Sequence, residues 1–546
     1  MLAPNHWWMR LQKYSRKDNN RQGETVKRGS ILLKGGNKMA ARIGENMIHQ
    51  TSAIKVFTNR ADLMSNGLRG ATISKGALHI DNVDAFKGSL PTLAANAADF
   101  GDRSAPADVR ALAGWIIYEG AQRLNVKLSS PQEVYVAIAE GRVDRVMSFA
   151  AVNIRVGTLD TARALFKAAG DNNVGALIAE IARSEMGYTH QSPAEYAAIL
   201  QAAAMLEGFE GPLFLQGDHV QLKSKPVRDG GETGAKEINA HRKLIRELLA
   251  AGFGSIDLDM SPFERRTEEN LSFEEQQAEN ARLTAEKIAD VRALEKELGI
   301  PWTVLLGGET GEVGKMNTRK EDLEAYAEGI IANMKRLGID PALGIRKIAV
   351  NDGTAHGGTP LPDGSVADVA IAFDILRMAT DFGKKYGWAG SVQHGASTLP
   401  NNAFSLFPKN KAVEVHLATG FQNITFDSGI YKVKGAQSEI EQFLADKFRG
   451  EWKAGKTFAQ FAYSTRKQAT GPFKWMVWTM PEDIRAKVAE NLYDQFAFLF
   501  GQLGIVDTKD LVAKHTTIHD FHLPYPEEAG ASSAASDKEG TGDLAD

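Results

Sequence analysis

The feature that most constrains the fold is an alternation of short apolar runs with longer helical patterns, which begins near residue 146. Runs such as 147–152, 212–216 and 347–350 have the length of strands, and the segments between them carry apolar residues at helical spacing. Strands that alternate with helices in this way form βαβ units and a parallel sheet. The runs number close to eight, which predicts an α/β fold of the (β/α)8 TIM-barrel type.

The pattern can be divided into elements and regions. We predict strands at 147–152, 174–181, 212–216, 255–258, 302–306, 347–350, 391–392, 414–417 and 424–426. The helices predicted between them are 159–169, 193–206, 236–251, 273–298, 322–337 and 366–386. We expect a disordered basic extension at 1–38, an N-terminal helical region at 39–145, the barrel at 146–435, a C-terminal helical region at 436–525 and a disordered acidic tail at 526–546.

Composition excludes several classes of site. The chain of 546 residues contains no cysteine, so disulfides, thiolate metal ligands and cysteine nucleophiles are excluded. Any transition metal must therefore be held by His, Asp or Glu. The formal net charge of −4 gives no reason to expect nucleic acid or a membrane surface as partner. No apolar stretch approaches the roughly 18 residues that span a bilayer, and we expect a cytoplasmic protein.

Three histidines follow directly after predicted strands: His219, His356 and His394. In a parallel barrel all the strand C-termini open on one face, so three widely spaced histidines can converge there on one metal ion. Each of the three lies within two residues of a glycine, which lets a ligand approach closely. The spacing therefore predicts a metal-dependent enzyme.

Carboxylates and small residues surround the predicted metal ligands. Asp218 precedes His219, where it can exchange a proton with a substrate hydroxyl. The glycine-rich loop 307–314 carries Glu309 and Glu312 and can act as a mobile carrier of an acid/base. Residues 394–398 offer backbone N–H groups and two hydroxyls, which is typical of a phosphate cradle.

Over residues 147–430 these motifs resemble the class II, metal-dependent fructose-bisphosphate aldolases and their tagatose-bisphosphate relatives. The segment 217–219 is similar to the Asp-His signature of that family, 353–357 to Gly-x-x-His-Gly, 394–397 to His-Gly-Gly-Ser and 422–427 to Asn-Ile-Asp-Thr-Asp. The segment 257–261 resembles the family's Ile-Asp-x-Ser strand end, whose aspartate orients the site in that family.

The resemblance implies a set of roles. Reversible aldol cleavage of a ketose (bis)phosphate such as fructose 1,6-bisphosphate would give dihydroxyacetone phosphate and an aldehyde, in carbohydrate metabolism such as glycolysis. Zinc, or another divalent metal, would be the cofactor, and the protein would form a homo-oligomer. The implied residues are Asp218, Glu312 and then Glu309 as acid/bases, His219, His356 and His394 as metal ligands, and Gly357, Gly395, Ser397, Asn423 and Thr425 as substrate and phosphate contacts.

The sequence departs from the family at several positions. Leu305 stands where the family carries a glutamate, no lysine follows His356-Gly357, and Thr425 replaces an aspartate. The missing lysine favours an alternative, a metal-dependent sugar or sugar-acid epimerase on the same barrel. A non-catalytic barrel is a further alternative, against which Asp218 beside a complete histidine triad speaks. We predict structural roles for His241 and His416.

Overall fold

The computed structural model describes residues 54–268, 270–311, 316–353, 371–396 and 399–526. Several residues predicted to be functional lie outside the described residues: Glu312, His356, Gly357 and Ser397. The predicted basic extension and almost all of the acidic tail lie outside them as well.

Eight parallel strands form a closed barrel. The strands of the described chain are β1 (Ala71–Ser74), β2 (Ala77–Ile80), β3 (Val126–Ser129), β4 (Phe149–Asn153), β5 (Leu177–Ala182), β6 (Gly211–Gln221), β7 (Ser255–Asp259), β8 (Leu305–Thr310), β9 (Lys347–Val350), β10 (Gly390–Gln393) and β11 (Ala412–Leu417). Pairing runs in parallel through β6, β5, β4, β11, β10, β9, β8 and β7, and the β6–β7 pair closes the ring. The prediction of a TIM barrel is confirmed.

Helices separate consecutive strands of the barrel and cover it. The α-helices of the described chain are Arg60–Asp62, Val83–Lys87, Leu90–Ala97, Ala107–Arg123, Gln132–Ala139, Thr158–Asp171, Arg183–Thr189, Pro193–Leu206, Ser224–Asp229, Gly231–Ala250, Phe273–Leu298, Lys320–Arg336, Phe373–Gly383, Leu406–Lys409, Thr419–Ser428, Ala436–Lys447, Phe458–Thr465, Lys474–Trp478, Glu482–Gln502 and Lys509–Lys514. No helix in this part of the chain is both long and apolar enough to cross a membrane.

The Phe273–Leu298 helix shows how local sequence sets the element boundaries. Ser272 and Glu275 form a capping box at its start, in which each side chain accepts a backbone N–H of the other residue. Gly299 ends the helix with a positive φ of 65°, a conformation that glycine adopts without strain. The predicted boundaries of this helix are therefore confirmed.

Several predictions of local structure are wrong. The strand predicted at 212–216 continues to Gln221 as β6, so that His219 lies within it, and β5 begins at Leu177 rather than at residue 174. Residues 424–426 lie within the Thr419–Ser428 helix rather than in a strand, and β8 begins at Leu305, three residues after the predicted start. The N-terminal helical region also contains the antiparallel β1–β2 hairpin, and β3 pairs in parallel with the first residues of β6. These strands have four residues each, too short for a periodic pattern to emerge.

The interior of the barrel is polar at one level. Lys347 on β9 reaches Asp257 on β7 and Glu414 on β11, strands that do not pair with β9, so these side chains meet inside the barrel. Gln216 on β6 contacts Glu180 and Glu414 at the same level. We call these five residues, Glu180, Gln216, Asp257, Lys347 and Glu414, the interior cluster; all are buried.

Candidate metal centre and active site

A break in the pairing of β6 presents Asp218 and His219 together. The register between β6 and β7 shifts between Gly217 and Val220, which leaves Asp218 and His219 without partners on β7. Neighbouring residues of a regular strand point to opposite faces, whereas a bulge re-aims a side chain. His219 has a φ of 39°, in the left-handed region that costs a non-glycine residue free energy. Such strain is typical of a functional position.

Gly217 permits this bulge. A Cβ atom at Gly217 would lie 2.9 Å from Val220 Cγ2 and 3.0 Å from Leu248 Cδ1. Both distances are shorter than ordinary contacts between carbon atoms. Packing against Val220 and Leu248 therefore favours a glycine before Asp218.

Three imidazole rings lie in a row at the C-terminal end of the barrel. The ring centroid of His394, which follows β10, lies 4.2 Å from that of His219 and 4.2 Å from that of His416. His416 belongs to β11. The expected convergence of strand-end histidines therefore holds for His219 and His394, and the structure adds a third ring that the sequence reasoning treats as structural.

The donor atoms of Asp218, His219 and His394 lie close enough together to share a metal ion. One ligand atom from each falls within 4.8 Å of the others. The Nδ1 atom of His219 lies 3.3 Å from Asp259 Oδ2 and 3.2 Å from Glu309 Oε2. A carboxylate on one ring nitrogen is the usual support for a histidine that binds metal through the other. The residues present therefore fit a divalent metal.

Asp218 is held at both carboxylate oxygens. Asn153 Nδ2 donates to its Oδ2 at 2.9 Å, and His416 Nδ1 lies 3.1 Å from its Oδ1. Burial would raise the pKa of Asp218, but the neighbouring His219 and His416 outweigh burial and hold that pKa well below its usual range. Asp218 is therefore an ionised carboxylate that can accept a proton.

Glu309 and Asp259 complete the polar groups at the strand ends. Burial, reinforced by the charge of Asp259, raises the pKa of Glu309 to about 7. Asp259 is fixed by Ser261, whose backbone N–H and hydroxyl donate to its Oδ1 at 3.0 and 2.7 Å. We call Asp218, His219, Asp259, Glu309 and His394 the strand-end cluster. Glu309, rather than Leu305, is the residue of β8 that reaches this cluster.

The interior cluster lies deeper in the barrel than the strand-end cluster and contains its own cation, the ammonium group of Lys347. Lys347 Nζ lies 2.6 Å from Glu414 Oε1 and 2.9 Å from Asp257 Oδ1, and donates to Gln216 Oε1 at 2.7 Å. Burial would lower the pKa of Lys347, but Asp257 and Glu414 raise it. Gly307 makes room for this arrangement, since a Cβ atom there would collide with Asp257 Oδ1.

Arg155 lies beside the site, just beyond the end of β4. Its Nε donates to Glu185 and its Nη1 to the hydroxyl of Thr419, at 3.2 Å. Glu185 also accepts from Asn153 at 2.9 Å, so Arg155 and Asp218 are linked through two side chains. This polar chain joins the ends of β4, β5 and β6.

Asn423 and Thr425 lie on the Thr419–Ser428 helix. Asn423 donates to Tyr463 at 3.1 Å and accepts from Arg466 at 2.6 Å. The Thr425 hydroxyl donates to the Phe421 carbonyl at 3.1 Å. Both side chains contact their own helix or the C-terminal helical region.

Gly395 directly follows His394 at the end of β10 and has a φ of 70°. His241 is buried, and its Nε2 lies 3.0 Å from the Val220 carbonyl, which agrees with a structural role.

Sequence reasoning did not foresee the interior cluster or the contacts of His416 with it and with Asp218, although a signal for them was present. Single polar residues interrupt otherwise apolar runs, as Glu180 does in β5 and Glu414 in β11. A buried strand rarely carries a charge without a partner. The partners come from strands far apart in sequence. The pattern therefore predicts that a buried polar cluster exists but does not identify which residues form it.

A scan against models of protein families finds none that matches this chain, and no curated protein matches it either. Solved structures do share its fold in part. They include an aldolase of Escherichia coli K12 (14% identity, TM-score 0.37, covering 69% of this chain and 98% of that chain) and a fructose-bisphosphate aldolase of Campylobacter jejuni (18%, 0.41, 70% and 98%). A third, from Sinorhizobium meliloti 1021, is described as a probable tagatose 6 phosphate kinase (16%, 0.44, 67% and 97%).

Two of these three proteins are aldolases. With TM-scores below 0.5, all three likenesses are too distant to bear on the activity of this chain.

Proposed function

We propose that this protein is a metal-dependent aldolase that reversibly cleaves a ketose phosphate, with fructose 1,6-bisphosphate as the first candidate. The observation that carries the proposal is the meeting of Asp218, His219 and His394 at the C-terminal end of a parallel barrel. In enzymes with a parallel barrel of this kind, the catalytic residues lie at the C-terminal end of the strands. The products would be dihydroxyacetone phosphate and an aldehyde.

His219 and His394 would hold the metal, and we propose His356 as the third ligand and zinc as the ion. The nitrogen and carboxylate donors suit zinc or a related divalent ion. Bound there, the metal would polarise the substrate carbonyl and stabilise the negative charge that develops as the carbon–carbon bond breaks. Asp259 and Glu309 would hold His219 in the orientation required for binding.

Asp218 would move the proton of the reacting hydroxyl. During cleavage its carboxylate would take the proton from the C4 hydroxyl as the bond between C3 and C4 breaks, and during condensation it would return that proton. Its lowered pKa supports this role, because the carboxylate is ionised at neutral pH. Asn153 donates to the same carboxylate and would help to fix its position.

The remaining roles follow from the motifs. We propose Glu312 as the acid/base at the donor carbon, with Glu309 second, and Gly357, Gly395, Ser397, Asn423 and Thr425 as contacts to phosphate and hydroxyl groups. We propose further that the protein acts in the cytoplasm on a small sugar phosphate, as a homo-oligomer, without nucleic acid or membrane partners.

The test begins with the metal content of the purified protein. Triose phosphate release from fructose 1,6-bisphosphate is then measured with and without a chelator. We expect stoichiometric metal and cleavage that the chelator abolishes. Asp218→Asn should lose activity on the order of 100- to 10,000-fold while it keeps the metal. Asp229→Asn, at an exposed aspartate, is the matched control and should behave like the wild type.

The outcomes separate the alternatives. Bound metal with isomerised substrate and no smaller product would favour an epimerase on the same site. A protein that binds no metal even when zinc is added would contradict the histidine site itself, and a non-catalytic barrel would then be the better account.

A further inference from the structure

We infer that His416 is a positioning residue, which orients the Asp218 carboxylate for proton transfer. The inference rests on the proposed function, since it assigns the second support of the proposed proton carrier. It adds a residue from β11 that none of the strand-end motifs contains.

The first observation is the contact itself. His416 Nδ1 lies 3.1 Å from Asp218 Oδ1 and forms a hydrogen bond with it. Glu180 Oε1 lies at a similar distance, 3.2 Å from the same nitrogen, but among the described residues that buried oxygen has no hydrogen-bond partner. The Nδ1 proton is therefore directed at Asp218 rather than at Glu180.

The second observation is that the ring is anchored from below. His416 Nε2 lies 2.6 Å from Glu414 Oε1, and Glu414 is itself fixed by Lys347 and by the hydroxyl of Tyr135. A carboxylate only accepts hydrogen bonds, so an imidazole between two ionised carboxylates donates from both nitrogens. Because the interior cluster fixes the ring of His416, the ring in turn fixes the position of the Asp218 carboxylate.

The third observation is that the opposite oxygen of Asp218 is held independently. Asn153 Nδ2 donates to Oδ2 at 2.9 Å. Two donors at the two oxygens define the plane of the carboxylate and leave its other lone pairs to face a substrate. A catalytic group must be held within about half an ångström of its productive geometry, and His416 supplies one of the two supports.

A second metal ion bound by Glu180, Glu414 and His416 would be a different use of the same side chains. Lys347 argues against it. Its ammonium group, 2.6 Å from Glu414 Oε1, already supplies the positive charge at this level of the barrel. A divalent ion there would meet that charge at short range in a buried site.

The test uses two replacements of His416, each of which keeps one of the two hydrogen-bond donors of the imidazole ring. The amide nitrogen of His416→Asn can take the place of Nδ1 and still donate to Asp218, whereas that of His416→Gln reaches the place of Nε2 and donates to Glu414. We expect His416→Gln to lower kcat for fructose 1,6-bisphosphate cleavage by about 100-fold with little change in KM, as a misplaced catalytic group does. His416→Asn should retain most of kcat.

Metal content and the midpoint of denaturant unfolding are measured for both variants. Equal metal content and similar midpoints, with kcat lost in His416→Gln only, would support the positioning role. Equal loss of kcat in both variants, in parallel with stability, would overturn it in favour of a purely structural histidine. Full activity in His416→Gln would overturn it as well.

The wild-type protein separates failure of the inference from failure of the proposed function. If the metal-loaded wild type does not cleave the substrate, the proposed function fails and the positioning role fails with it. If the wild type cleaves and the two variants do not differ, only the role of His416 is wrong.

Discussion

The interior cluster and the strand-end cluster are both buried groups of ionisable side chains, yet they differ in what balances their charge. The interior cluster contains Lys347, whose ammonium lies within hydrogen-bonding distance of two carboxylates. The strand-end cluster sets carboxylates beside the imidazoles of His219 and His394, and its described members include no lysine or arginine. Carboxylates beside an internal ammonium are balanced within the fold, whereas carboxylates beside imidazoles, which bind a metal ion in their neutral form, suit an external cation.

The comparison teaches how stability and function are divided along the barrel axis. Removal of one partner of a buried ion pair is strongly destabilising, because it leaves the other charge buried and uncompensated. A group of ligands around an external cation is stabilised only when that cation binds. We therefore expect substitutions in the interior cluster to act on folding and substitutions in the strand-end cluster to act on metal binding and catalysis.

The largest effect should come from Lys347→Met, which leaves Asp257 and Glu414 buried without their ammonium partner. The free energy of unfolding should fall by about 3–5 kcal/mol, measured by denaturant titration. Lys236→Met is the matched control, because Lys236 pairs with Glu232 in an exposed ion pair; it should change stability by less than about 1 kcal/mol. A loss of equally small size at Lys347 would contradict the contrast between the clusters.

Zinc should stabilise the protein through the strand-end cluster. At free zinc about 1,000 times its Kd, ligand linkage raises the free energy of unfolding by about 4 kcal/mol. His394→Ala should lose this gain, measured as the shift in melting temperature upon addition of zinc. His522→Ala, at an exposed histidine, should keep it. If His394→Ala responded to zinc like the wild type, the metal would bind elsewhere.

The third effect is the pH dependence of stability that His241 causes. Because His241 belongs to neither cluster, its contribution must be measured separately from theirs. Burial lowers the pKa of His241 from 6.5 to about 4. Between these two pH values the unfolded chain binds a proton that the folded protein does not, so acidification lowers stability by up to about 3 kcal/mol. The stability advantage of the wild type over His241→Gln, measured by denaturant unfolding, should therefore shrink from pH 7 to pH 4. A pH-independent difference would refute this origin.

The smallest effect should come from Glu309→Gln, which weakens the carboxylate support of His219. Asp259 remains on the same nitrogen, so the metal affinity should fall by about 10- to 100-fold without loss of the site. Titration with a metal-sensitive dye measures it. Glu264→Gln is the control, since Glu264 accepts from the Gly311 backbone N–H at 2.9 Å. An unchanged affinity in Glu309→Gln would remove Glu309 from the metal centre.

Much of the barrel could be predicted because its signals are local. The helix over 273–298 carries its capping residues and its terminal glycine in sequence, and β9 is bounded as predicted. The misassigned strand at 424–426 had apolar residues but no pattern to distinguish strand from helix, and its packing against the C-terminal helical region decided for the helix.

Part of the site could also be predicted. His394 follows β10 and His219 lies near the C-terminal end of β6, and the topology of a parallel barrel brings such positions together. The contact of Glu309 with His219 and that of His416 with Asp218 could not be predicted in this way. Each depends on the orientation of a side chain relative to strands distant in sequence, and no local pattern encodes that orientation.

The sequence by itself determined the class of fold, the absence of thiolate chemistry and the strand ends at which histidines and an aspartate would meet. Only the tertiary structure decided which side chains share a level inside the barrel, where Lys347 balances Asp257 and Glu414. It also decided that His416 faces Asp218. The physical reason is range: periodicity and capping act over a few residues, whereas charge pairing inside a closed barrel joins strands separated by tens or hundreds of residues.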